Sequence, residues 1–441
     1  MHLHSPPSAT TGEYGHSVMA IPMGGNMSIR PSRGRAVRLV TILATSAVAV
    51  AAFAVPAQAA TSDSGLGTKN PAKGTPVKIG LITDGKGTAT DNSIESDVAD
   101  ASVKWINEYK NGVGGHPIQL DTCVTGADPA KSGDCANQMI QDNVAAVIFG
   151  SNQFTVNSWT PLHTAGIPTF MASSGNTAIK ADPTNTFVFN AGLSALNTVI
   201  IGGAKEAKTK KVTVVVIDVP AATQIFADKT AFTKAGLSMD VVPVALGTAD
   251  MTPQMQKVVS DNPKGEVFVL GNDTFCIAAF NGLRTAGFKG TVTTGTACLS
   301  DATRTAVPAD FLKGIKVSAT SPIDTPKDPT IKQYYAVLDK FGASGVDKTR
   351  STGVTFFQGI GGFQVATEAL KGDATPATIT ATAKAMPWSV LPASGGLHFR
   401  CNGKAAPAEP ATCTNAILLA TLDAQGKALK YTAVNDAQIP G

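Results

Sequence analysis

The sequence predicts an α/β protein built from two doubly wound parallel-sheet lobes. Three observations predict it: strand and helix patterns alternate along the chain, the alternation restarts near Ala195, and a long chain remains after a leader-like first segment. That remainder, about 380 residues, exceeds one ordinary core and suits two domains of roughly 150 to 200 residues each.

Residues 1–59 read as a signal peptide. Arg30, Arg33, Arg35 and Arg38 precede an uninterrupted, weakly apolar run from Leu39 to Val55, and Ala57-Gln58-Ala59 supplies a small-x-small cleavage site. The apolar run, about 17 residues, is at the short edge for spanning a bilayer. Translation from Met27 would serve export equally well, and no cysteine near the cleavage site offers a lipid attachment point. The formal net charge of +4 falls to about +1 without the leader, so nothing points to nucleic acid. All six cysteines lie beyond the leader, and an even number in an oxidising compartment makes disulfides the default reading. They fall into the local pairs Cys123/Cys135, Cys276/Cys298 and Cys401/Cys413, without the CxxC clusters of a zinc site.

Residues 60–75 are rich in Gly, Ser, Asn and Pro and read as a linker. Val77 to Thr83 is then a β-branched run emptying into Asp84-Gly85, a buried strand ending in a loop. Ile94, Val98, Ala101, Trp105 and Tyr109 recur at helical spacing, which predicts a helix over 94–109 and places Trp105 in the core. Strands over 118–121, 145–150 and 167–172 alternate with helices over 134–142 and 157–165. After Ala195 come helices over 196–207, 222–235, 251–260 and 275–286, with strands over 212–217, 239–245, 266–270 and 291–294. Beyond Ser318 the prolines Pro322, Pro326 and Pro329 break the chain, and helices over 330–341, 352–370 and 376–385 follow. No strand run is expected to return until 417–422. These helices have too little strand of their own for a third domain and are assigned back to the first lobe. Gly359-Ile360-Gly361-Gly362 sits inside a helical pattern and reads as close helix packing instead of a phosphate loop.

At the stretch VFVLGNDTFCIAAFNGLRTAGFKG (267–290), with AAVIFGSNQFTVNS, IPTFMASSGNTAI and SGGLHFRCNGK in order around it, the chain resembles the type I periplasmic binding proteins of the leucine/isoleucine/valine-binding group. The resemblance covers roughly Val77 to Leu422. It implies an extracytoplasmic substrate-binding protein of an ABC transporter, working as a monomer with a membrane permease as partner and no cofactor. It also implies a three-crossing hinge, with lobe one at 76–190 plus 319–400 and lobe two at 191–318 plus 401–441. Ligand would sit in the cleft between the lobes, and the first cysteine pair falls where relatives often carry a lobe-one disulfide.

In an open parallel sheet, ligands bind beyond the carboxyl ends of the strands. In lobe one that selects Asp84, then Ser151 and Asn152 after Gly150, then Ser173, Ser174, Asn176 and Thr177. The Gly150 and Ser173 loops are donor-rich and match family loops that hold an amino acid carboxylate through backbone and hydroxyl groups. In lobe two the candidates are Asp218, Thr223, Asn272, Asp273 and Thr296. Here the chain departs from the family pattern, which has a tyrosine where Asn272 aligns and an ammonium-pairing glutamate near Ala297; Asp273, Asp218 or Asp84 is the available substitute. A Cys276–Cys298 bond would staple two of these loops.

An enzyme needs a nucleophile with its base, a metal or a cofactor cradle. The chain beyond the leader offers only His116, His163 and His398, widely separated, and no HExxH, GxSxG or P-loop pattern. The alternatives are a ligand-sensing ectodomain, which would be expected to run on into a transmembrane helix past Gly441, and a secreted hydrolase.

Overall fold

The computed structural model describes residues 65–87, 91–190, 195–322, 325 and 327–441. The signal-peptide reading, its Ala57-Gln58-Ala59 site and the alternative start at Met27 lie outside the described residues, as do residues 60–64 of the expected linker.

The first run of elements is β1 (Val77–Thr83), α1 (Ile94–Tyr109), β2 (Ile118–Val124), α2 (Pro129–Gln141), β3 (Ala146–Phe149), α3 (Thr155–Thr164), β4 (Thr169–Met171), α4 (Thr177–Ala181) and β5 (Thr186–Val188). The second is α5 (Leu196–Glu206), β6 (Lys211–Ile217), α6 (Pro220–Thr223), α7 (Thr230–Lys234), β7 (Ser238–Val244), α8 (Thr252–Asp261), β8 (Glu266–Leu270), α9 (Asp273–Thr285), β9 (Thr291–Gly295), α10 (Asp301–Ala306), α11 (Ala309–Leu312) and β10 (Lys316–Ala319). The chain then runs through α12 (Pro329–Phe341), α13 (Ser351–Thr367), α14 (Pro376–Ala385), β11 (Ser389–Val390), β12 (His398–Phe399), β13 (Ile417–Leu422) and β14 (Ala428–Val434).

Two separate sheets form. The first has the order β2-β1-β3-β4-β5 and is parallel throughout. The second runs β14-β13-β10-β9-β8-β6-β7, so its parallel part β7-β6-β8-β9-β10 repeats the order of the first. The antiparallel pair β13 and β14 extends it past β10. The central strands of each sheet are buried on both faces, which is why β3 (AVIF) and β6 (KVTVVVI) read as continuous apolar runs instead of alternating ones. In the first, α1, α12, α13 and α14 build one core around Trp105, Phe170, Phe357 and Phe363, and α2 and α3 cover the other face around Met139 and Leu162.

The long helix α13 is buried nearly all round, and its glycines are packing positions. A Cβ at Gly361 would stand 2.9 Å from the Pro392 Cβ, and one at Gly362 would stand 2.7 Å from the Phe189 ring. Trp105 is 1 % exposed and donates its indole N–H to the Leu66 carbonyl at 3.0 Å. Leu66, inside the stretch read as a linker, is thereby drawn into the core.

Four local expectations are corrected. The helix expected over 222–235 is broken into α6, a 3-10 turn and α7, because the Asp228 carboxylate takes the Thr230 amide at 2.8 Å and offers the backbone an alternative to the helix. Strands return before Ile417: β11 and β12 form a two-residue antiparallel pair. The strands β5 and β10 were not expected at all, being three and four residues long and too short to show a period. The second sheet is not wholly parallel, because β14 follows β13 as a hairpin across Asp423–Gly426.

The chain passes from the first sheet to the second after β5, returns after β10, and crosses again before β13. Residues 401–413 stay on the edge of the first sheet: Cys413 donates its amide to Val188 O at 2.7 Å, Ala411 donates to Lys180 O at 2.9 Å, and Lys180 pairs with Glu409 at 2.5 Å. All three expected disulfides are present, Cys123–Cys135, Cys276–Cys298 and Cys401–Cys413. Among the described residues no helix is long and apolar enough to cross a membrane.

Candidate functional site

In each sheet the order of strands reverses direction once. In the first it does so between β1 and β3, and in the second between β6 and β8. At such a switch point the loops leaving the two strands diverge, and a crevice opens at their carboxyl ends.

The first switch point is tied together by two acidic side chains. Asp84, directly after β1 and 3 % exposed, accepts from the Thr125 hydroxyl at 2.5 Å and from the Gln153 amide at 2.8 Å. Its own amide donates to Ser151 O at 2.7 Å. Asp84 therefore joins the loops after β1, β2 and β3. Glu95, in the first turn of α1 and 2 % exposed, lies beside it. The Thr83 hydroxyl donates to Glu95 Oε2 at 2.5 Å, the Ser151 amide is shared between both carboxyl oxygens at 2.9 Å each, and the Ser151 hydroxyl donates to Oε1 at 2.7 Å. Burial lifts the Glu95 carboxyl above the ordinary carboxylate range; the bonds from Thr83 and Ser151 oppose that lift and the neighbouring Asp84 charge adds to it. Gly150 leaves the space this carboxyl fills, since a Cβ there would come within 2.3 Å of Glu95 Oε2.

Beyond this pair a cavity of about 480 Å³ opens, a volume typical of small-ligand sites. Glu95, the loop from Gly150 through Asn157, residues 172–176, and Thr355 and Phe356 of α13 line it. Asn152 is engaged on both ends, accepting from the Phe154 amide at 2.9 Å and donating to the Ser158 hydroxyl at 3.1 Å. Asn176 caps α4 by accepting from the Ile179 amide at 3.1 Å, and Ser174 accepts from the Asn176 amide at 3.2 Å. Ser173 is exposed at the rim.

Of the residues picked from sequence, Ser151, Asn152, Ser173, Ser174 and Asn176 therefore surround one cavity. Asp84 lies beneath them, and Thr177 is exposed as the first residue of α4. The second group sits at the other switch point: Asp218 is exposed after β6, and Thr223 bonds back to Val219 O at 3.2 Å. Asn272 caps α9 by accepting from the Phe275 amide at 3.1 Å, with Asp273 half-buried next to it. Thr296 is half-buried beside the Cys276–Cys298 bond. None of these second-sheet residues lines the first cavity.

Glu95, Thr83, Gln153 and Thr355 were missed from sequence. For Glu95 a signal existed: it precedes the fully buried Ala99 and Ser102 by four and seven residues, so it falls on the inward stripe of α1. A carboxylate in a first helical turn ordinarily reads as a solvated partner of the helix dipole, which hides it.

Each of the three histidines among the described residues has a polar partner. His163 Nε2 pairs with Asp182 at 3.1 Å and His398 Nδ1 with Asp436 at 2.8 Å, while His116 bonds to Thr75 O at 2.8 Å. Among the described residues no cluster of His, Cys, Asp and Glu could hold a metal ion.

The family model for periplasmic binding proteins matches residues 76–419. A search of curated proteins finds no match. Among solved structures, the chain is similar to the branched-chain amino acid transporter substrate-binding protein LivJ of Streptococcus pneumoniae in complex with isoleucine, at 15 % identity and TM-score 0.59, covering 82 % of this chain and 99 % of that one. It is similar to a leucine-binding protein LivK of Thermotoga maritima at 16 % identity and TM-score 0.59, covering 81 % and 99 %. It is also similar to an ABC transporter solute-binding protein of R. palustris in complex with 4-hydroxybenzoate, at 20 % identity and TM-score 0.61, covering 83 % and 98 %.

Proposed function

The chain belongs to the periplasmic binding protein family, and from that premise we propose that it captures a small polar metabolite between its two lobes and hands it to the permease of an ABC importer. The cargo class is an amino acid, an amide or a related compound. The protein acts as a monomeric carrier without catalysis, exported and working at the outer face of the cytoplasmic membrane. Lobe one comprises residues 76–190 and the segment from 319, lobe two residues 191–318 and the C-terminal strands. The contacts of residues 401–413 with β5 favour a third crossing after Cys413 instead of after Arg400.

The observation that carries this reading is the repeated strand order, which gives both sheets the same switch point, one of them opening onto a ligand-sized cavity. The solved neighbours bound to isoleucine and to 4-hydroxybenzoate support a small organic ligand. A thermal-shift screen of the intact protein across amino acids, amides, small acids and sugars tests it. A ligand at a hundred times its Kd stabilises the folded state by about 2.7 kcal/mol, which moves the melting transition measurably. A saturable shift with one chemical class, and recovery of that compound unchanged, is the expected result; turnover of the compound would make the protein an enzyme and end the carrier reading.

A further inference from the structure

We propose that Glu95 is the specificity-determining residue of the first cavity: its carboxylate fills an anion cradle there, so the cavity refuses a ligand carboxylate at that point and takes an N–H or O–H donor instead. This rests on the cavity being the solute site proposed above.

Three donors converge on one spot, the Ser151 amide, the Ser151 hydroxyl and the Thr83 hydroxyl. That is the donor set a bound carboxylate would use, at the carboxyl end of parallel strands where anions are ordinarily received. Here the protein's own carboxyl occupies it. Gly150 is shaped to the occupant, because any side chain there would meet Glu95 Oε2 before anything else. Glu95 nonetheless faces the cavity, as one of its lining residues.

Two consequences follow from charge and from lone-pair arithmetic. A second carboxylate placed roughly 4 Å from Glu95 in this half-dry crevice would be opposed about a thousandfold. An ionised carboxyl presents about four acceptor directions, and three donor groups claim most of them, so about one remains to be satisfied from the cavity side. An ammonium, amide N–H or hydroxyl meets that need. Asn152 has both ends of its carboxamide in loop bonds, and the Ser174 hydroxyl and the Asn176 carboxamide oxygen accept from loop and cap amides; among the described lining residues Glu95 is the one ionisable side chain.

The test vacates the cradle and offers it a substitute. The intact protein and its E95A variant are titrated with sodium acetate, with sodium chloride at matched ionic strength as control, and melting temperature is read. Acetate is expected to stabilise E95A saturably, with a midpoint at least tenfold lower than any response of the unaltered protein. Equal responses, or none in either, would overturn the proposal. Should E95A fail to fold, the Ser151 amide resonance of the unaltered protein decides: it should move as Glu95 titrates and stay fixed when acetate is added, and an acetate-induced shift would overturn the proposal. Because acetate stands in for no cargo, an acetate response in E95A alongside a solute screen without a hit would count against the carrier reading and leave the cradle intact.

Discussion

Each sheet buries one glutamate against a glycine, and the two sites could hardly differ more. Glu95 stands at the carboxyl end of the first sheet, accepts hydrogen bonds from Thr83 and Ser151, and faces a cavity. Glu266 opens β8 at the opposite end of the second sheet, fully buried, and neither its oxygens nor the neighbouring Thr293 hydroxyl makes a hydrogen bond of ordinary geometry. Burial pushes the Glu266 carboxyl up to about 8, with Thr293 and Lys316 offsetting only part of it and Glu206 adding to it. A Cβ at Gly203 would come within 2.7 Å of Glu266 Oε1, as one at Gly150 would meet Glu95. Burial of an acid is thus a poor marker of a site on its own. Convergent donors, an adjoining cavity and a place at the strands' carboxyl ends distinguish the residue that can meet a ligand from the one that is merely accommodated.

The largest expected effect comes from the unpartnered acid. Its folded pKa lies above the unfolded one, so its contribution to stability is complete below about pH 4.5 and is lost as pH rises through about 8. Replacing Glu266 with Gln should remove that slope, worth about 5 kcal/mol between the two limits, as read from urea unfolding across pH. A slope that survives the substitution would place the titrating group elsewhere. The next effect is steric: Gly150→Ala should cost about 3 kcal/mol by expelling the Glu95 carboxyl and leaving its donors unpaired. At the same cavity a Gly175 Cβ meets nothing within 4 Å, so Gly175→Ala should stay within about 0.5 kcal/mol. If the two alanine variants unfold alike, the fit of Glu95 to Gly150 has no energetic content.

At the second switch point the cross-link should matter more than the cap. Converting Cys276 and Cys298 together to Ala should cost 2 to 3 kcal/mol, roughly what closing a loop of this length contributes. Asn272→Ala removes one N-cap bond to α9 and should cost about 1 kcal/mol in the same denaturation assay. Reversal of that order would mean the second switch point is held by its helix cap instead of by the disulfide.

The fold was largely legible because parallel strands covered on both faces declare themselves as apolar runs: β1, β6, β8 and β13 were expected nearly where they stand. Helix α1 was legible from the spacing of Ile94, Val98 and Trp105, and α14 stands over the expected 376–385, opened by a Thr375 capping box that the sequence reading did not single out. What escaped was short or tertiary in origin. The three residues of β5 become a strand only by pairing with β4 and by receiving residues 411–413 on their other edge. The break between α6 and α7 carries a local bond from the Thr230 amide to the Asp228 carboxylate. The site was half legible for the same reason. Loops rich in Ser and Asn after strands mark the rim, and five of those residues do gather at the cavity. That Ser151 spends its amide and hydroxyl on Glu95, fifty-six positions earlier in the chain, is a long-range fact that no local pattern carries.

Capture between two lobes requires that both switch points feel the same ligand. Hydrogen–deuterium exchange of the intact protein, with and without the compound that the thermal-shift screen selects, measures this in one experiment. Two-lobe capture predicts added protection both at Gly150–Gln153 and at Gly271–Asp273. Protection confined to the first loop, with Gly271–Asp273 exchanging unchanged, would contradict it.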